Sequence, residues 1–159
     1  MKQSIIYGVI GLILGAIITM FVMYKMAPGM MLLEDESKYD FEKTVEVLKQ
    51  SIEDHDWKLP TVHDLQATMH KYGKDVRKVK VFELCHPDHA EQILKESEER
   101  IVSAMMPCRI AIYEKADGKV YISRMNSSLM AGTMGGVIKE TMSVAAAENE
   151  DILEAIIKK

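Results

Sequence analysis

The chain has 159 residues, of which 48% are apolar and 28% are charged, a balance that suits one globular domain with an additional segment. Its net charge of −4 and its scattered basic residues argue against a nucleic-acid partner, which usually requires a clustered basic face. Two cysteines are too few for a small disulfide-stapled domain, although they can still form one disulfide in an oxidising compartment.

The N-terminal segment is apolar enough to cross a membrane. It begins at Ile5 and ends at Tyr24 without a charged residue, and as a helix it spans about 30 Å, the thickness of a bilayer's hydrocarbon core. The next stretch, "KMAPGMM", offers no convincing cleavage site, so we interpret the segment as an uncleaved signal anchor. Pro28 and Gly29 are expected to break the helix, which predicts an anchor and tether over residues 1–30 and a soluble domain over residues 31–159.

Residues beside and within this span indicate its orientation and a mode of association. Lys2 precedes the span and Lys25 follows it, ahead of acidic residues, a pattern that slightly favours a soluble domain outside the cytoplasm. Gly11 and Gly15 form a small-xxx-small pair that lets two membrane helices approach closely. A homodimer through these glycines is one expectation and a monomer is the other, because glycine is common in membrane spans.

The soluble domain is predicted to open with a strand and an amphipathic helix. The strand lies in "MMLLEDESKY" and has Leu32 and Leu33 near its start. Asp40 is placed to cap the helix of "DFEKTVEVLKQSIEDH". Apolar residues at helical spacing form one buried stripe on this helix: Phe41, Val45, Leu48 and Ile52.

The middle of the chain predicts two strands and short helices. Pro60 argues for an edge or broken strand in "WKLPTVHDLQ", and "ATMHKYGKD" is typical of a short helix that ends at Gly73. The clearest strand is "VRKVKVFELCH", whose apolar residues on both faces favour at least partial cover on both sides. Pro87 then fits the first position of a helix and Asp88 its first turn, and "ESEERIVSAMMP" after it is predicted to be partly helical.

The last third of the chain predicts a hairpin, a loop and a helix. In "CRIAIYEKADGKVYISRM", a three-residue loop with Gly118 in the left-handed conformation pairs Ile110 with Arg124 and Ile112 with Ile122, which gathers the apolar residues on one face. We interpret "SSLMAGTMGG" as a flexible loop. The tail, "GGVIKETMSVAAAENEDILEAIIKK", is predicted to be a helix with an interruption at "AENED".

These elements together predict an α+β fold, a mainly antiparallel sheet with helices on one face. The stretches "FEKTVEVLKQSIEDHDWK", "VKVFELCHPDHAEQIL", "MMPCRIAIYEKADGKVYIS" and "LMAGTMGGVIKETMSVAAAENEDILEAI", in this order, resemble the domain-of-unknown-function family 302. The resemblance implies a curved sheet in a TATA-binding-protein-like arrangement. It implies no established activity, and the apolar N-terminal segment lies outside it.

The stretch "CHPDH" and the second cysteine form the candidate site. Cys85 ends a strand just before a helix, and a helix N-terminus can lower the pKa of a thiol. If the strands of Cys85 and Cys108 are antiparallel neighbours, both cysteines lie at the same end of the sheet. They then form a disulfide or redox pair, gather a soft metal or a haem with His86 or His89, or remain small buried residues.

The apolar N-terminal segment, the predicted fold and the candidate site lead to two hypotheses for the function. The sequence has no P-loop, no dinucleotide fingerprint and no serine nucleophile elbow, so we assign neither a reaction nor a catalytic residue. The first hypothesis is a membrane-anchored module outside the cytoplasm that binds a small ligand or a partner, with "SSLMAGTMGG" at the mouth of its pocket. The alternative is a thiol-dependent redox, sulfur- or metal-handling protein that uses Cys85 and Cys108.

Overall fold

The N-terminal part of the protein is a single long helix. The computed structural model describes residues 2–158, with the backbone alone for residues 2–5 and 28, so the side chain of Ile5 lies outside the described residues. The chain divides into two units between Met31 and Leu32, and the first unit is α1 (Lys2–Met31). Its stretch Ile6–Ala27 is apolar and long enough to cross a membrane.

The predicted break of this helix at Pro28 and Gly29 is wrong. Both residues lie inside α1, which continues to Met31. A proline removes one backbone hydrogen bond, and within an apolar helix that loss is tolerated, so a single proline near the end does not terminate it.

The second unit alternates strands and helices in chain order. It contains β1 (Leu32–Glu36), α2 (Phe41–Asp54), β2 (Lys58–Asp64), α3 (Leu65–Lys71), β3 (Val79–Cys85), α4 (Pro87–Leu94), a 3₁₀ helix (Glu98–Met105), β4 (Cys108–Glu114), β5 (Val120–Met125), α5 (Ser127–Gly132) and α6 (Gly136–Glu154). This order confirms the α+β class.

The five strands form one antiparallel open sheet in the order β1-β5-β4-β3-β2. The prediction for β2 is confirmed, because it lies at an edge and its register shifts between Lys58 and Thr61, on either side of Pro60. The hairpin register is confirmed as well. Ile110 lies opposite Arg124, and Gly118 has φ +78° in the loop.

One face of the sheet carries the main hydrophobic core. Phe82, Leu84 and Ile112 are fully buried on this face, and α2 and α6 supply the opposing side chains. The predicted stripe of α2 is confirmed, since all four of its apolar residues are buried, and Asp40 Oδ1 accepts a hydrogen bond from the Lys43 amide at 2.9 Å. Residues between the core positions of β3 are only partly buried, so the other face of the sheet is less covered.

A second, smaller cluster joins α4, the 3₁₀ helix and α6. Ile93, Val102 and Ile138 form its buried centre. Four partly buried methionines pack against it: Met105, Met106, Met134 and Met142. This cluster extends the interior of the domain beyond the end of the sheet at which β3 stops and β4 starts.

Two predictions for the C-terminal region are wrong. The supposed flexible loop contains α5, which Asn126 caps through a 3.1 Å hydrogen bond from the Leu129 amide and which buries Ala131. The supposed interruption at "AENED" lies inside the continuous helix α6. Alanine and glutamate favour helix, and Asn149 donates back to the Ala145 carbonyl, so this polar stretch continues the helix.

Candidate functional site

A cavity of about 250 Å³ lies between the two hydrophobic clusters. Leu84, Ile110 and Leu153 line it from the main core, and Ile93 and Val102 line it from the smaller one. Polar and sulfur-containing side chains complete the wall, among them Cys85, His86, His89, Cys108, Arg124 and Asn149. All four residues of the predicted site therefore line the same cavity.

The β3–α4 junction positions the two histidines. Pro87 stands at the first position of α4, as predicted, and His86 occupies the N-cap without a side-chain capping bond. The His86 ring packs beside the ring of His89 with centroids 4.3 Å apart, and beside Trp57 at 5.7 Å. The Nδ1 atom of His86 is buried and has no hydrogen-bond partner.

Glu148 of α6 binds this cluster from the other side. Its Oε2 atom lies 2.9 Å from His89 Nε2 and accepts a 3.0 Å hydrogen bond from Trp57 Nε1. Burial works against the charged carboxylate, but the hydrogen bonds from His89 and then Trp57 outweigh it and hold the pKa of Glu148 below its ordinary value. The carboxylate is thus ionised and held in place at neutral pH.

His86, His89 and Glu148 together can hold a metal ion. One ligand atom from each residue lies within 4.8 Å of the others. The sequence pattern predicts His86 and His89 in the site but does not predict Glu148. A signal for it was present, because Glu148 lies three residues after Ala145 and four before Ile152, on the inward face of α6.

The two cysteines are neighbours in the sheet but not a disulfide pair. Cys108 lies opposite Leu84, one residue before Cys85, and both thiols are free. A shift of one residue directs neighbouring strand side chains to opposite faces, which explains why the two thiols do not join. Of the alternatives for the two cysteines, the disulfide is therefore absent from the described residues.

The acidity of Cys85 also differs from the expectation that a helix N-terminus lowers its pKa. Burial raises the pKa of Cys85 above its ordinary value. Burial likewise raises the pKa of Cys108, although a hydrogen bond from Asn149 works in the opposite direction. Neither cysteine has the depressed pKa that marks a reactive thiolate.

Asn149 and Arg124 complete the polar part of the cavity wall. Asn149 is only 8% exposed, and its Oδ1 atom has no hydrogen-bond partner. Arg124 is held in two directions, by an ion pair with Asp35 and by a bidentate pair with Glu150 at 2.9 and 2.5 Å. The arginine charge is therefore balanced inside the domain, whereas the buried asparagine oxygen has no partner.

Comparisons with known proteins agree with this fold. Residues 33–159 match the family model described as domain of unknown function DUF302. A protein of Aquifex aeolicus (strain VF5), described as uncharacterized, is 35% identical over 77 residues, which are 48% of this chain and 52% of that protein. The chain thus spans about half the length of this relative.

A solved structure of a family member has a similar backbone fold. The crystal structure of uncharacterized conserved protein DUF302 from Bacillus stearothermophilus matches with a TM-score of 0.69. The match covers 79% of this chain and 98% of that chain at 19% identity. At this identity the likeness shows the fold alone.

Proposed function

This chain belongs to the DUF302 family, and on that premise we propose that its domain binds a small, mostly apolar ligand in the cavity beside α4 and α6. The observation that carries the proposal is a pair of buried polar atoms without partners, His86 Nδ1 and Asn149 Oδ1. Both residues line the same cavity. A buried polar atom without a partner costs about 1–3 kcal/mol, so a ligand that supplies a polar partner to these atoms gains affinity by satisfying them.

The rest of the cavity determines the kind of ligand. Its walls are mainly aliphatic and thioether side chains, which favour an apolar body with one polar end. Its volume of about 250 Å³ is below the roughly 300–1,000 Å³ typical of sites for drug-sized ligands, which favours a small molecule over a haem. The raised pKa values of Cys85 and Cys108 count against the thiol-dependent alternative.

Single substitutions on α6 test this proposal with benzyl alcohol, which combines an apolar ring with a hydroxyl donor. Ala145 lines the cavity, and Ala147 on the same helix is exposed. Trp57 is the single tryptophan and lines the cavity, so its fluorescence reports binding. We expect a saturable response in the wild type and in Ala147→Leu, and at least a tenfold weaker one in Ala145→Leu, because the leucine fills the cavity.

Two outcomes would contradict the ligand proposal. One is the absence of any saturable response in the wild-type chain, and the other is equal binding by wild type and Ala145→Leu. Far-UV circular dichroism checks that each variant is folded. If Ala145→Leu fails to fold, Ala90→Leu on α4 provides a second way to fill the same cavity.

We further propose that α1 anchors this domain in a membrane, with the domain outside the cytoplasm. The apolar stretch Ile6–Ala27 supports the anchor, and the flanking lysines support the orientation. One apolar helix near the N-terminus also fits a signal sequence. Recovery of the full-length chain in the membrane fraction after alkaline extraction, with its domain open to external protease, is expected for an anchor, and a shortened soluble chain contradicts it.

We also propose that the sheet is curved and that two copies of α1 associate in the membrane. An open antiparallel sheet supports the curved, TATA-binding-protein-like arrangement, which superposition on a domain of that type tests. No side chain approaches the position that a Cβ atom would take on Gly11 or Gly15, so this face of α1 is open to a second helix. Crosslinking of the wild type and of Gly11→Leu in membranes tests the homodimer, which the leucine is expected to weaken.

A further inference from the structure

We infer that His86, His89 and Glu148 form a binding site for a divalent transition-metal ion beside the cavity, whose wall includes the two histidines. The inference rests on the proposed function, because it supplies the polar anchor for a ligand in that cavity. It also makes the ligand class more specific: a small apolar molecule with a donor atom that can coordinate the metal.

The chemistry of the three side chains fits such an ion. Two imidazoles and one carboxylate bind zinc in several hydrolytic enzymes, and the same set suits iron, cobalt and nickel. Zinc–nitrogen bonds of about 2.0–2.1 Å place tetrahedral ligands about 3.4 Å apart. The His89–Glu148 contact of 2.9 Å is already near this value, and the full set lies within 4.8 Å, so shifts of about one ångström complete the site.

Neighbouring side chains hold the ligands in position. Trp57 is 4% exposed, and its indole N–H fixes the Glu148 carboxylate, as partners of metal ligands commonly do. The partly buried ring of His86 packs beside the rings of both Trp57 and His89, which lie 6.1 Å from each other. Its buried Nδ1 atom without a partner is the independent sign that this cluster lacks one bonding interaction.

The surroundings decide what else the metal can bind. Three protein ligands leave at least one coordination position for a further molecule. His86 and His89 both line the cavity, so a ligand inside it is placed to take that position.

A second histidine–glutamate pair provides a matched control. His63 Nε2 lies 3.2 Å from Glu83 Oε1, which also accepts from Arg109, so this pair has a cation in place of a third ligand. Within the part of the chain that the structure describes, the cluster of His86, His89 and Glu148 is the one group of three His, Cys, Asp or Glu ligands this close together.

Cobalt(II) titration of the metal-free full-length chain in detergent micelles tests the inference. Absorption in the visible region reports coordination, and quenching of Trp57 fluorescence reports binding next to the indole. We expect one ion per chain for the wild type and for His63→Gln. Glu148→Gln and His89→Gln are expected to bind about tenfold or more weakly, because each removes one ligand while keeping the side chain's size.

The outcome of this titration separates the two proposals. Cobalt binding that is equal in wild type and Glu148→Gln, or absent in both, overturns the metal site. If benzyl alcohol still binds in that case, the cavity proposal survives without the metal; if neither binds, both proposals fail. Circular dichroism checks the fold of both variants, and Glu148→Gln alone decides the test if His89→Gln does not fold.

Discussion

His89 and Glu148 are 59 positions apart in the chain, yet their side chains meet at 2.9 Å and join the start of α4 to the middle of α6. Trp57, from the segment between α2 and β2, donates to the same carboxylate oxygen. Three distant parts of the chain therefore converge on one ionised group, next to residues that line the cavity.

We predict that Trp57→Phe destabilises the domain by about 1–3 kcal/mol, because the carboxylate of Glu148 loses a buried donor while much of the aromatic contact remains. Chemical denaturation followed by far-UV circular dichroism measures the change. Tyr72→Phe is the control, because Tyr72 is exposed and its substitution is expected to change the free energy of unfolding by less than about 0.5 kcal/mol. Equal stability of Trp57→Phe and wild type would mean that this hydrogen bond contributes nothing.

Two glycine substitutions are expected to change the free energy of unfolding in opposite directions. Gly118 has φ +78°, where an L side chain costs about 1–2 kcal/mol, so Gly118→Ala lowers the free energy of unfolding by about that amount. Gly132 lies in α5, and no atom lies near the position of an added Cβ, so Gly132→Ala is expected to raise stability by about 0.4–1 kcal/mol. Denaturant unfolding followed by Trp57 fluorescence compares both. A neutral Gly118→Ala would contradict the need for glycine in the hairpin loop. A destabilised Gly132→Ala would contradict the argument that an alanine fits in α5.

The carboxylate of Glu34 gives the domain a pH-dependent contribution to stability. A hydrogen bond from Lys115 and then one from Tyr113 hold the pKa of Glu34 below its ordinary value of 4.5. A lowered pKa in the folded state stabilises the fold above pH 4.5, and this contribution is lost as the pH falls through the folded-state pKa. We therefore expect Glu34→Gln to be less stable than wild type at neutral pH and to approach it in acid.

Thermal unfolding from neutral pH into acid measures this Glu34 effect. Glu46→Gln is the matched control, because the ion pair of Glu46 with Lys43 on α2 is exposed to solvent. Its difference from wild type is expected to be small at every pH. A Glu34→Gln difference that does not change with pH would show that the two hydrogen bonds do not favour the charged form.

Both thiols are expected to react slowly with a thiol reagent at neutral pH. Burial raises both pKa values above the ordinary 9.0, so the labelling rate should still rise with pH beyond that value. Cys85 is expected to react before Cys108, which packs against the main core. Labelling of Cys85→Ser and Cys108→Ser assigns the two rates. Rapid labelling of Cys85 at neutral pH would restore the thiol-dependent alternative.

The sequence by itself determined the features that depend on near neighbours. The spacing of apolar residues predicted the buried stripe of α2, and Pro60 predicted an edge strand, because a residue without an N–H cannot complete a central strand. Gly118 and the alternation of β4 and β5 predicted the hairpin register. Each of these patterns acts within one element or one turn, so it is present in the sequence before the chain folds.

The tertiary structure alone decided how distant side chains meet. The offset of one residue between Cys85 and Cys108 depends on the pairing of β3 with β4, which no local pattern specifies. The approach of Glu148 to His89 depends on where α6 crosses α4, and the packing of the small cluster around Ile93 and Val102 determines that crossing. The candidate metal site therefore exists only in the folded domain, because its ligands come from elements that packing, rather than sequence proximity, brings together.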